Sequence, residues 1–156
     1  METDREKKIR AAEIKTTLAT LYPKVGQVSG GLIWVRNEKG ETFHVHPDGT
    51  PAYEQRFDDA GPFSEGLAWV RTNGKYSYIR KDGTAAFGGE YDDAHTFSEG
   101  MAQVCVAGKW FHIRNNGNQA YEQKYDNVHP FRDGKALVLL GKKTFHIHTD
   151  GKRVTA

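Results

Sequence analysis

The chain contains no run of 18 apolar residues, so it lacks the sequence signature of a membrane-spanning helix. Cysteine is nearly missing too. Cys105 stands alone, which excludes an intramolecular disulfide framework, and no cationic neighbour marks it as a lowered-pKa thiol, so it reads as a small apolar residue on a strand. The first residues are charged and carry no apolar leader, and a cytoplasmic location is expected. Concentrated positive charge is also absent. The net charge is +2, with six Lys and Arg against four acids over residues 1–24, ten against fourteen over 25–128 and six against two over 129–156. No basic stripe that could track phosphates is visible, so neither nucleic acid nor membrane is expected as a partner.

What the chain does have is a period of 34 residues. Phe63-Ser64-Glu65-Gly66 returns at Phe97-Ser98-Glu99-Gly100 and, altered, at Phe131-Arg132-Asp133-Gly134. Asp48-Gly49, Asp82-Gly83, Asn116-Gly117 and Asp150-Gly151 keep the same step, as do Asp58-Asp59-Ala60, Asp92-Asp93-Ala94 and Asp126-Asn127-Val128. Such a period belongs to stacked supersecondary units, none of which can bury its apolar face alone. The expected fold is all-β: a tandem array of four three-stranded antiparallel repeats with one N-terminal capping helix, either open as a solenoid or closed as a barrel or propeller. The expected divisions are an amphipathic helix over 1–24 and repeats over 25–156, at about 29–60, 61–94, 95–128 and 129–156.

Thr3-Asp4-Arg5-Glu6 has the composition of a capping box, and Ala11, Ile14, Leu18 and Leu21 follow at helical spacing until Pro23 and Gly26 break it. Covering the open edge of the first repeat is the expected role; balanced charges and a narrow apolar face fit a membrane surface less well. Within the repeats, Asn73-Gly74 sets a two-residue hairpin that pairs Trp69 with Tyr78, and Val70 with Ser77 on the opposite face. In the first repeat, Glu38-Lys39-Gly40 absorbs one extra residue as a three-residue turn. Asp82-Gly83 reads as a second hairpin, pairing Ile79 with Ala86 and Tyr78 with Phe87. Asp58, Asp92 and Asp126 suit turns in which the carboxylate accepts from amides two residues on. Phe57, Tyr91 and Tyr125 before them, and Phe63, Phe97 and Phe131 after them, would anchor the connection to the core.

Two faces follow from this threading. One carries Ile33, Val35, Phe43 and Val45, then Ala68, Val70 and Ile79, and their counterparts in the later repeats; this is the expected core. The other carries the rows Trp34, His44, Tyr53; Trp69, Tyr78, Phe87; Gln103, His112, Tyr121; and Leu137, His146, Thr155, rich in aromatics but drifting in identity.

The segments Gly74-Lys75-Tyr76-Ser77-Tyr78-Ile79-Arg80, Tyr91-Asp92-Asp93-Ala94 and Phe97-Ser98-Glu99-Gly100-Met101-Ala102 resemble the WG, or KWG, repeat of bacterial proteins over roughly residues 29–156. Lys109-Trp110 alone keeps the lysine and tryptophan of the naming motif, with Phe111 in place of its glycine. The resemblance implies an all-β repeat module used as an interaction surface and brings no catalytic residues.

Several residues suggest chemistry until the period is considered. His44 with His46, and His146 with His148, could share a zinc ion, but Tyr78 occupies the same repeat position, which points to a structural aromatic with a hydrogen bond. Asp58-Asp59 and Asp92-Asp93 could ligate calcium, yet Asp126-Asn127 loses the second charge. Gly30-Gly31 and Gly88-Gly89 precede no helix and match no phosphate loop, and no signature supports a Ser-His-Asp triad. No metal, cofactor or catalytic residue is therefore expected. The expected function is a non-enzymatic module for a protein or peptide partner, with Trp34, Trp69, Tyr78 and Trp110 as binding candidates. The alternative is a small-ligand site, such as one for carbohydrate, on exposed aromatic rows. A third, plainly structural reading has neighbouring repeats bury this face.

Overall fold

A computed structural model describes residues 1–155 of the chain. Helix α1 spans Asp4–Ala19 and starts at the expected capping box: Thr3 Oγ1 accepts from the Glu6 amide at 3.1 Å, and the Thr3 amide donates to Glu6 Oε2 at 2.7 Å. The helix is shorter than residues 1–24 and hardly amphipathic. Leu18 is its one buried residue, with Ala11 and Ile14 half-buried, so only the C-terminal part packs. Among the described residues no helix is long and apolar enough to cross a membrane.

Four separate three-stranded antiparallel sheets follow. The first joins β1 (Lys24–Val25), β2 (Ile33–Arg36) and β3 (Thr42–Val45), and the second β4 (Asp59–Ala60), β5 (Ala68–Thr72) and β6 (Lys75–Ile79). The third joins β7 (Asp93–Ala94), β8 (Met101–Val106) and β9 (Lys109–Arg114), and the fourth β10 (Asn127–Val128), β11 (Lys135–Leu140) and β12 (Lys143–His148). The central hairpins have the expected register, with Trp69 opposite Tyr78 and Val70 opposite Ser77. Asn37 and Glu41 bracket the three-residue turn, and Gly40 sits at φ 81°, the left-handed position this turn requires. Among the described residues no ladder joins the first sheet to the fourth, so the array is open.

The third strand is not the expected one. The return after Asp82-Gly83 touches the ladder at one bridge, Ile79 with Ala85, one residue short of the expected partner Ala86. The cause is turn length. Arg80 and Thr84 bracket a three-residue loop in which Gly83 is left-handed, φ 83°, and Asp82 Oδ1 accepts from the Thr84 amide at 2.9 Å. The chain then leaves the ladder and rejoins β6 only where Tyr91 exchanges two backbone bonds with Tyr76. The third strand of each sheet is instead the dipeptide that precedes its hairpin, Lys24–Val25, Asp59–Ala60, Asp93–Ala94 or Asn127–Val128, of which the last three were expected to lie in turns.

Sheet stacking explains both apolar faces. Ala68, Val70 and Ile79 of the second sheet belong to a core with Leu18, Ile33, Val35, Phe43 and Val45. Tyr78 on the opposite face belongs to a second core with Ala102, Val104, Phe111 and Ile113 of the third sheet. The second sheet therefore lies between two cores, and the drifting face of one unit is pressed onto the constant face of the next. That face is an exposed surface only where no unit follows.

At the other end α1 fills the vacant place. A side chain at Gly83, Gly117 or Gly151 would collide with Tyr53, Phe87 or Tyr121 of the preceding unit; at Gly49 it would meet Leu21 and Leu18. Those leucines stand where the preceding unit's aromatic would be, and Tyr22 pins the segment by donating to the Gly49 carbonyl at 2.8 Å. Leu18→Ala should therefore lower unfolding free energy by about 3 kcal/mol, as for a core leucine. Chemical denaturation checks this, and a change under about 1 kcal/mol would mean the helix does not cap the array.

Candidate functional site

The middle residue of each drifting row makes the junction to the next unit. His44 and His112 are fully buried, and Tyr78 is 1% exposed. His44 Nε2 lies 2.8 Å from the carbonyl of Gly61, and His112 Nε2 lies 2.8 Å from that of His129. A carbonyl only accepts, so Nε2 carries the proton and Nδ1 is the acceptor. The hydroxyls of Tyr53 and Tyr121 donate to it at 2.6 and 2.5 Å. In the second unit Tyr78 reaches the carbonyl of His95 with its own hydroxyl at 2.7 Å, and its neighbour in the return is Phe87. A hydroxyl is present there only when imidazole needs one.

Each middle ring also packs against the phenylalanine of the next Phe-x-x-Gly segment. His44 lies 4.4 Å from Phe63, Tyr78 5.0 Å from Phe97 and His112 4.4 Å from Phe131, between ring centroids. Burial lowers the pKa of both histidines from 6.5 to about 4, only partly opposed by the bond to the carbonyl.

Two further devices span the junctions. Ser-Glu-Gly proves to be a two-residue turn with both central residues left-handed, Glu65 at φ 54° and Gly66 at φ 80°, and Glu99 and Gly100 alike. Glutamate is unfavourable there. Its carboxylate is held by the next turn: Glu65 accepts from the Gly100 amide at 2.9 Å, and Glu99 from Asp133 and Gly134 at 2.9 and 3.1 Å. The first acid of each pair bonds not two residues on but fifteen. Asp58, Asp92 and Asp126 accept from the amides of Asn73, Ala107 and Gly141, in the hairpin turns of the sheets that their own segments join. Lys75 and Lys109 bind Asp92 and Asp126 at 2.5 Å, and the Lys75 hydrogen bond is the main cause of the lowered Asp92 pKa.

Of the binding candidates, Tyr78 is a junction residue and is withdrawn as a surface residue. Trp34 and Trp69 are half-buried over Gly26 and Gly61, where any side chain would overlap the indole. Trp69 meets Tyr76 at 5.4 Å and 57°, and Trp110 stacks at 5.3 Å on His95, the counterpart of Gly61. These rings form no coplanar platform of the kind flat ligands prefer. Among the described residues no three His, Cys, Asp or Glu side chains converge as metal ligands.

The residues missed by the candidate set are those of the last unit. His146, the counterpart of His44 and His112, is exposed, and Asp133, the counterpart of Glu65 and Glu99, accepts from no following turn. Both line a cleft of about 480 Å³ with His129, Arg132, Lys135 and Leu137.

Acid should loosen the junctions. Histidines of the unfolded chain take up protons near pH 6.5, whereas buried His44 and His112 resist until about pH 4, so their contribution is intact above 6.5 and lost as pH falls toward 4. The loss should be roughly 3 kcal/mol per histidine. Converting the third junction to the second type with His112→Tyr and Tyr121→Phe should halve it, with neutral-pH stability within about 1.5 kcal/mol of the parent. Denaturant midpoints from pH 7.5 to 4.5 test this; an unchanged pH slope in the double variant would contradict the assignment.

Comparison with known proteins agrees with this architecture. A family model described as WG containing repeat matches over residues 45–76, 76–110 and 113–143. Each match runs from one structural unit into the next, and the one over 76–110 contains both Tyr78 and the His95 carbonyl that it bonds. No curated protein matches the chain. Among solved structures, BamB from Moraxella catarrhalis is similar at 15% identity with a TM-score of 0.54, over 85% of this chain and 46% of that one. KlHsv2 with loop 6CD replaced by a Gly-Ser linker is similar at 11% identity and TM-score 0.54, over 80% of this chain and 48% of that one. The chain spans about half the length of these structures, and the likeness is one of fold, that of β-propeller blades in an open run of four. Three matches that together cover more than half of its residues show that the chain belongs to the WG containing repeat family.

Proposed function

We propose that the chain is a non-enzymatic module that binds a protein or peptide partner through the open face of its fourth unit. One observation carries this reading: His146 and Asp133, the counterparts of the His44 and His112 rings and of the Glu65 and Glu99 carboxylates that hold the next unit, stand exposed along one cleft. The histidines and tyrosines that suggest chemistry in the first three units are engaged in stacking them. A reducing, cytoplasmic setting suits Cys105, which is buried and unpaired.

The test is a photo-crosslinking amino acid placed at His146 and, as a comparison, at exposed Thr72 on the second hairpin. A discrete protein adduct is expected from position 146 and not from 72. Adducts from position 72 alone, or none from either, would contradict this choice of surface.

A further inference from the structure

Resting on the reading of this face as a partner site, the internal junctions describe the chemistry of what it takes. At each of them the acceptor is a main-chain carbonyl, at Gly61, His95 or His129, and the packed ring lies two residues later, at Phe63, Phe97 or Phe131. At the second and third junctions, turn amides four or five residues after the carbonyl also meet the glutamate of the preceding unit; the first junction has Gly30 in the place of that glutamate. The open face keeps the first and last of these receptors, His146 for the carbonyl and Asp133 for the amides.

It departs from the internal faces in charge. Where the other units have Leu32, Leu67 or Met101, all buried, the fourth has exposed Lys135, and where they have a turn serine it has Arg132. The stretch from 129 to 156 holds six basic residues against two acids. A polar end face is also what keeps the end of an array soluble. Here the added charges have one sign and surround a cleft that retains the junction groups, which fits a complementary partner better than a neutral cap.

We infer that the open face of the fourth unit is a socket for an acidic polypeptide turn that carries an aromatic ring two residues after a main-chain carbonyl received by His146. The ring packs over the imidazole, the turn amides meet Asp133, and flanking carboxylates meet Arg132 and Lys135. The chain contains such a segment: Glu90 to Ala102 has four carboxylates, no Lys or Arg, and Phe97 two residues after the His95 carbonyl.

A peptide of that sequence is the probe, titrated into the isotopically labelled full chain and followed by NMR. Saturable shifts at His146, Leu137 and Asp133 are expected, with affinity falling at least about tenfold for the Phe97→Ala peptide and for the His146→Ala protein. His146 is exposed, so that variant leaves no cavity, and an unchanged spectrum elsewhere confirms its fold. No shifts at millimolar peptide, shifts centred elsewhere, or equal affinity for both peptides would overturn the inference. If the peptide fails while a protein crosslinks at position 146, the partner chemistry is wrong and the interaction reading stands; if both fail, both fall. Concentration-dependent self-association that His146→Ala abolishes would assign the socket to a second copy of this chain and overturn the acidic turn.

Discussion

The stack depends on a side chain on the last strand of each of the first three sheets reaching a main-chain carbonyl of the next unit, seventeen residues on in sequence. That carbonyl lies in an irregular segment under a buried ring and would otherwise lose its hydrogen bond to water, a loss worth about 1 to 3 kcal/mol. Histidine and tyrosine both reach it. Their different needs spread outward: imidazole leaves a lone pair at Nδ1 that Tyr53 or Tyr121 satisfies, whereas Tyr78 leaves none and is followed by Phe87. No buried side-chain polar atom is left unpartnered among the described residues.

Around this central bond the junction closes through groups at its rim. The Glu-Gly turns put glutamate in a left-handed backbone from which its carboxylate reaches the adjacent turn, and the aspartates grip the hairpin turns of the sheets that their own segments join. These rim contacts are exposed, and as isolated ion pairs Lys75–Asp92 and Lys109–Asp126 contribute little. They set orientation, while the buried rings supply most of the energy: truncating one of their size in a core costs roughly 3 kcal/mol or more.

Much of this was legible in the chain, for identifiable reasons. The 34-residue step, the Asn73-Gly74 register and the buried parity of Ala68, Val70 and Ile79 follow from turn chemistry and from the alternation of strand side chains. The return after Asp82-Gly83 was misplaced by one residue because the same dipeptide serves two- and three-residue turns. The partner of Glu65 was not legible, since it lies across a junction that depends on the stacking direction, and that of Asp92 was not, since the dipeptide after Asp92 was read as a turn and not as a strand of the third sheet. Which face is outside was not legible either, because each sheet has apolar residues on both sides. Two paired changes did carry the answer. Trp69 over Gly61 becomes Gln103 beside His95, and His44 with Tyr53 becomes Tyr78 with Phe87, as expected when both members touch across a packed space.

The central claim is that His44 and His112 stand neutral, with the proton on Nε2, against carbonyls of the next unit. Nitrogen-15 NMR of the imidazoles in the intact chain at pH 5.5 tests it most directly. The account predicts that both rings remain in the neutral Nε2–H form at that pH, since burial lowers their pKa to about 4. Rings found in the Nδ1–H form, or doubly protonated with a midpoint near 6.5, would mean that the junctions are not built on this bond.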